Sequence, residues 1–204
     1  MNVVKSGRRE MYAALTRDAV LEAARSLFVD RGFASTSVED IAKLANVSKG
    51  AVYHHFSDKQ TIFAQLVRDS LADGLTTVVN AIADVTDPWE RVERALRAYL
   101  KVYAEDRDAR ALLRQVVGVL GEERTCALDN EFVIPTIEAL LVELDNAGEL
   151  KPLPIEITTR LVFDLLCGAA KSLASTEETE STSREMEAVI LHMFSGLRRN
   201  PLPR

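Results

Sequence analysis

Residues Ser35 to Lys59 read STSVEDIAKLANVSKGAVYHHFSDK. Two short apolar patterns lie either side of a polar turn. In the first, Val38, Ile41, Ala42 and Ala45 recur at helical spacing and mark one face for burial. Ser37 stands where an N-cap belongs, and Asp40 three residues on completes a capping-box-like pair. The turn Ala45-Asn46-Val47-Ser48 offers an apolar anchor in Val47 and a second cap in Ser48.

The second pattern, Lys49 to Phe56, carries more information. At about 100° per residue, Val52 and Phe56 point inward, Gly50 and His54 point outward, and Lys49 and Tyr53 lie on the flank. A cation, a bare backbone, a phenol and an imidazole suit phosphates and base edges. Two short helices joined by so tight a turn predict a helix-turn-helix, its second helix shaped for a major groove. A helical hairpin inside an ordinary bundle is the competing reading, since the geometry also occurs away from DNA.

Within this stretch, Ile41-Ala42, Val47-Ser48-Lys49-Gly50, Tyr53 with His54-His55-Phe56, and Lys59 closely resemble the amino-terminal signature of the TetR family of bacterial transcriptional regulators. The resemblance runs from about Thr16 to Phe63; beyond it only length and helix order fit. It implies an all-α fold: a three-helix head (residues 1–60) on a larger helical body (61–204) that binds ligand and dimerises, about nine helices in total. Carried over position by position, it implies that Thr36 and Ser37 reach phosphate and that Ser48, Tyr53, His54 and Lys59 are mainly positional. Lys49 and Gly50 are then placed for bases, and Ala51 for a thymine methyl. Glu39 departs from the pattern, standing where some members carry a cation, and would repel phosphate unless it points sideways.

Outward from this stretch, residues 1–15 read as a loose arm with Lys5, Arg8 and Arg9 as its cations. A first helix is expected from a Thr16 cap to Arg31, closed by Gly32 and Phe33. Ser57 and Gln60 suggest a capping box for a long helix to about Asp84, with Gly74 as its softest point. Asp87-Pro88-Trp89-Glu90 is a strong helix start. Pro135 demands a kink or a restart in the pattern from Thr125 to Asn146. From Ile157 to Ala174 apolar residues occur nearly all round, and the last helix carries its own stripe before Arg198, Arg199 and Pro201. Two adjacent helices with that much apolar surface predict a homodimer. Leu161, Leu165, Ala169, Leu173, Val189, Met193 and Leu197 are the expected interface. Two heads would then read the half-sites of a palindromic double-stranded operator, about 34–36 Å apart.

Charge agrees only permissively. The 204 residues carry net charge −6, but residues 1–60 hold nine Lys/Arg against seven Asp/Glu and the remainder sixteen against twenty-four. A mildly basic head on an acidic body remains compatible with DNA. No apolar run spans a bilayer and no leader opens the chain, so a cytoplasmic protein away from membranes is expected. Cys126 and Cys167 lack CxxC spacing and read as buried, inert thiols. No phosphate loop, GxSxG, HExxH or cysteine–histidine metal spacing is present, so neither an enzyme, a cofactor nor a metal is expected.

The family resemblance implies a ligand-responsive repressor, and the low formal charge of the expected lining favours a small, mostly apolar organic effector over an ion. The expected pocket takes Tyr99, Tyr103, Phe132 and Phe163 as aromatic lining, with Arg114 and Asp164 for orientation. The rival is a DNA-binding dimer controlled by a protein partner, or uncontrolled. A helical scaffold with a vestigial head is the third reading. A cavity in the body separates the first two, because a body without a guest can pack solid.

Overall fold

The computed structural model describes the backbone of residues 3–199, with side chains from residue 11 onward. Among the described residues the regular elements are ten α-helices, with one isolated antiparallel bridge between Leu150 and Arg198. The tenth helix arises at Pro135. Lacking an N–H, the proline restarts the chain rather than kinking it, so α7 (Glu122–Phe132) ends and α8 (Ile134–Asn146) begins.

The helix α1 runs Val3–Arg31, and the expected loose arm is helical instead. The run Met11 to Leu15 contains good helix formers and no proline, and extending a helix already nucleated costs little. Thr16 is therefore no cap: its hydroxyl donates to the Tyr12 carbonyl one turn back, at 2.9 Å. The side chains of Lys5, Arg8 and Arg9 lie outside the described residues.

Next come α2 (Val38–Leu44) and α3 (Lys49–His55), packed on α1. The capping box at Ser37 forms as expected, with the Ser37 hydroxyl accepting from the Asp40 N–H and the Asp40 carboxylate accepting from the Ser37 N–H. Asn46 takes φ 55°, the left-handed geometry that lets the turn between them close in so few residues. The long helix α4 (Lys59–Ile82) is capped by Asp58, not by the Ser57–Gln60 pair. The Asp58 carboxylate accepts from the Thr61 N–H at 2.7 Å, while Gln60 reaches across to donate to the Val119 carbonyl. That backbone hydrogen bond holds the Asp58 carboxyl below its ordinary range.

Then α5 (Pro88–Glu105) starts at the Asp87 cap, and α6 (Arg107–Leu120) follows after Asp106. Two main cores result. The first centres on Phe28, Phe33 and Phe63, whose rings meet at 5.4–5.6 Å, and it takes Ile41, Val52 and Phe56 from the short helices. Leu112, Val116 and Leu120 of α6 and Leu128 of α7 complete the same core. Gln115 fastens the junction. Its side-chain oxygen accepts from the Phe33 N–H at 2.7 Å, and its amide donates to the Phe28 carbonyl at 3.1 Å. Gly32, at φ 82°, turns the chain beneath it.

The second core joins Trp89, Leu96, Leu100, Leu144, Leu173 and Phe194, drawn from α5, α8, α9 (Ile155–Ser175) and α10 (Thr179–Ser195). Arg198 stacks 4.6 Å above the Trp89 ring and pairs with Glu93, tying the chain's end to the start of α5. The expected dimer residues divide here. Leu161, Val189 and Met193 are 65%, 60% and 53% exposed, but Ala169 and Leu173 are buried within the second core. Leu165 and Leu197 are half-buried and pack against that core. Steps of four residues advance about 40° round a helix at ~100° per residue, so the series 161, 165, 169, 173 winds about 120° from the outside to the inside. Ile157, 57% exposed, belongs with Leu161 on the outer face and was absent from the expected set.

Candidate DNA-reading helix and effector cavity

On α3 the sequence dictates a two-sided helix, and the fold keeps it. Ser48 caps it by accepting from the Ala51 N–H at 3.1 Å. Val52 and Phe56 are buried against α1, α2 and α4, which leaves Ser48, Lys49, Gly50, Tyr53 and His54 on the open surface. Ala51 is half-buried at the edge. Lys49 forms an ion pair with Glu39 and sits 5.8 Å from the Tyr53 ring centre. Glu39 thus points along the surface at its lysine. The hydrogen bond to Lys49 lowers the Glu39 carboxyl below its ordinary range and raises the Lys49 ammonium. An exposed pair of this kind contributes little stability and yields readily to phosphate.

Two of the expected phosphate contacts face the other way. Thr36 is 2% exposed, and its hydroxyl donates to the Gly32 carbonyl at 2.9 Å, so it closes the turn after α1. Lys59 is half-buried; its ammonium donates to the carbonyls of Phe33 and Thr36 at 2.8 and 2.7 Å and lies 4.1 Å from the Phe33 ring centre. Its two hydrogen bonds and its ring contact all serve the head's own loop. Ser37 stays exposed, with its hydroxyl donating to Asp40.

In the body a cavity of about 120 Å³ lies among α4, α5 and α8, closed by α9 and the end of α10. Leu71, Gly74 and Val78 of α4 line it, together with Trp89 of α5, Leu140 of α8 and Phe194 of α10. No Lys, Arg, His, Asp or Glu lines it; polar side-chain groups come only from Ser70, Thr136, Tyr99, Tyr103 and the indole of Trp89. The two tyrosine rings meet edge to face at 5.3 Å, and the Tyr99 hydroxyl donates to the Leu166 carbonyl at 3.1 Å. Burial pushes the Tyr103 phenol up to about 12 and the Tyr99 phenol well above its ordinary value, so both stay protonated in neutral solution.

Tyr99, Tyr103 and Phe132 therefore line the cavity as expected, and three other residues do not. Phe163 packs against the second core away from the cavity. Arg114 donates to the Ala174 carbonyl at 2.6 Å, and Asp164 is exposed. Both are polar residues that the fold uses at the periphery. Trp89 and Thr136 were missed, because the first reads in sequence only as part of a helix start and the second as a polar residue after a proline. Of the thiols, Cys167 is half-buried and pushed up to about 11 by desolvation, whereas Cys126 is exposed, contrary to expectation.

Comparison with known proteins agrees with this architecture. Residues 20–66 match the description "Bacterial regulatory proteins, tetR family", and residues 89–197 match "Tetracyclin repressor-like, C-terminal domain". The chain belongs to the TetR family of bacterial transcriptional regulators. It is 26% identical over 178 residues to the HTH-type transcriptional regulator UidR of Escherichia coli K12, covering 83% of this chain and 85% of that one. A TetR-family transcriptional regulator from Pectobacterium atrosepticum superposes with TM-score 0.78 at 26% identity, over 94% of this chain and 98% of that one. The transcriptional regulator FadR from Bacillus subtilis, in complex with stearoyl-CoA, superposes with TM-score 0.73 at 16% identity, over 85% of this chain and 96% of that one. Among the described residues no helix is long and apolar enough to cross a membrane.

Proposed function

We propose that this regulator is a homodimeric repressor that holds a palindromic operator until a small, mostly apolar molecule enters the body cavity. The observation carrying this is the cavity itself. Protein interiors pack to crystal-like density, and a helical body with no guest has no reason to leave about 120 Å³ open beside the helix that joins it to the head. UidR, similar in sequence, is named a transcriptional regulator, and FadR, similar in fold, is a regulator in complex with a ligand, stearoyl-CoA.

In this reading residues 1–60 address DNA and 61–204 sense and dimerise. Lys49 and Gly50 meet base edges, Ala51 a thymine methyl, and Ser37, Ser48, Tyr53 and His54 position the helix on phosphates. The dimer forms through the outer faces of α9 and α10, which carry Ile157, Leu161, Val189 and Met193. Control requires that the ligand bind one head spacing better than the other. Helix α4 has Phe63 in the first core and Gly74 in the cavity wall, so one rigid element touches both. The test is fluorescence anisotropy on operator DNA with a small-molecule library, after a thermal-shift screen. If no compound both stabilises the protein and frees the DNA, control passes to a protein partner.

A further inference from the structure

We infer that the cavity accepts an uncharged molecule about one ring in size, bearing one hydrogen-bonding oxygen that Tyr103 engages, and rejects carboxylates and acyl-coenzyme A conjugates. This rests on the cavity being the effector site.

Volume sets the first limit. An apolar cavity of about 150 Å³ holds benzene, so about 120 Å³ admits one ring, or a branched chain of similar bulk, with only slight expansion. Aromatic edges from Trp89, Tyr99, Tyr103 and Phe132 suit such a guest.

Charge sets the second limit. A carboxylate moved into apolar surroundings loses its hydration unless a cation or several donors replace it. The nearby arginines are committed elsewhere. Arg110 donates to the carbonyls of Tyr103 and Ala104, Arg114 to that of Ala174, and Arg91 to Glu143 and the carbonyls of Ile82 and Val85. The ionisable neighbours whose fields reach both tyrosines are Cys167 and Asp129, and neither can carry the positive charge that would hold an anion.

Donor supply sets the third limit. The Tyr99 hydroxyl donates to the Leu166 carbonyl, whereas the Tyr103 hydroxyl, whose oxygen lies within hydrogen-bonding reach of Tyr99, donates to no acceptor among the described residues. It remains protonated, so one oxygen on a guest completes a chain from guest through Tyr103 to Tyr99.

Three probes of matched shape separate these terms: toluene, p-cresol and 4-methylbenzoate, titrated calorimetrically into the full chain at neutral pH. We expect p-cresol to bind about five- to tenfold tighter than toluene, the effect of one hydrogen bond. The carboxylate should bind at least a hundredfold more weakly than p-cresol. Tyr103→Phe should bring p-cresol down to the toluene value and leave toluene unchanged, which also reports that the pocket still folds. The inference is overturned if 4-methylbenzoate rivals p-cresol, if Tyr103→Phe leaves the preference intact, or if none of the three binds. Operator release is read in the same samples. Binding in the expected order without release removes the control reading and leaves the ligand class. Release by 4-methylbenzoate, or by stearoyl-CoA added as a fourth probe, removes the ligand class and leaves control.

Discussion

Lys59 offers the sharpest test of how the head is held together. In Lys59→Met the aliphatic stem is kept and the ammonium is lost. With it go two hydrogen bonds, to the carbonyls of Phe33 and Thr36 at 2.8 and 2.7 Å, and the contact over the Phe33 ring. Hydrogen bonds to a charged group contribute about 1.5–3 kcal/mol each when well sheltered, and a cation over a ring roughly 0.5–1 kcal/mol at an accessible site. Lys59 is half-buried, so water competes, and two carbonyls are freed at a turn that water can reach. A total of about 2–3 kcal/mol is the reasonable expectation. For a chain of this length that lowers Tm by roughly 5–10 °C. Scanning calorimetry on Lys59→Met beside the exposed control Lys49→Met measures it, with DNA affinity recorded across a salt series. Lys49→Met should leave Tm within about 1 °C. Should Lys59→Met leave Tm unchanged while its salt slope falls by about one unit, the lysine is a phosphate ligand and the clamp is wrong.

Further outcomes follow from the same structure. Lys49→Ala should abolish the preference for operator over random DNA, while Glu39→Gln, which frees Lys49, should raise affinity for both and steepen the salt dependence in a filter-binding series. Leu161→Glu with Met193→Glu should give monomers by light scattering, whereas Leu173→Ala should keep the dimer and lose about 2–5 kcal/mol to urea, since it opens a hole in the second core. Gly74→Leu, whose new side chain would enter the cavity near Val102, should remove ligand binding with DNA affinity retained, read by calorimetry and anisotropy. Tyr103 supplies a pH test. Its phenol is raised in the fold from about 10 to about 12, so its contribution is complete below pH 10 and disappears as pH rises towards 12. A rise of that size corresponds to roughly 3 kcal/mol. Urea midpoints of wild type and Tyr103→Phe should be close below pH 10 and separate over that window, the wild type falling.

What could be read in advance was whatever local chemistry decides. Ser37, Ser48, Asp87 and Pro135 act through neighbours within four residues, so caps, starts and the restart were visible as letters. The apolar period likewise placed Val52 and Phe56 inward and left Lys49 and Tyr53 outside. Long-range geometry was not visible. Nothing near Lys59 announces that its partners are carbonyls twenty-odd residues earlier, and Thr36 looks like any surface threonine until the turn after α1 folds over it. On α9 the apolar residues surround the helix, so periodicity gives no phase, and only packing against α5 and α8 tells Leu161 from Leu173. Arg114 and Asp164 are polar residues that stand near aromatics along the chain, and only the fold places them outside the cavity lining.

The first core has a consequence for anyone recombining such proteins. Leu112, Val116 and Leu120 belong to α6 in the chain but to the head in packing, and Gln115 accepts the hydrogen bond of the Phe33 N–H. A cut after residue 60 would therefore strip the head of a side of its interior and leave that amide without a partner. Grafting this head onto another sensor calls for a transplant in two pieces, the first sixty-odd residues together with a four-position patch of α6. Chimeras that respect the linear boundary alone should express as aggregates, while those that import the patch inherit a working joint.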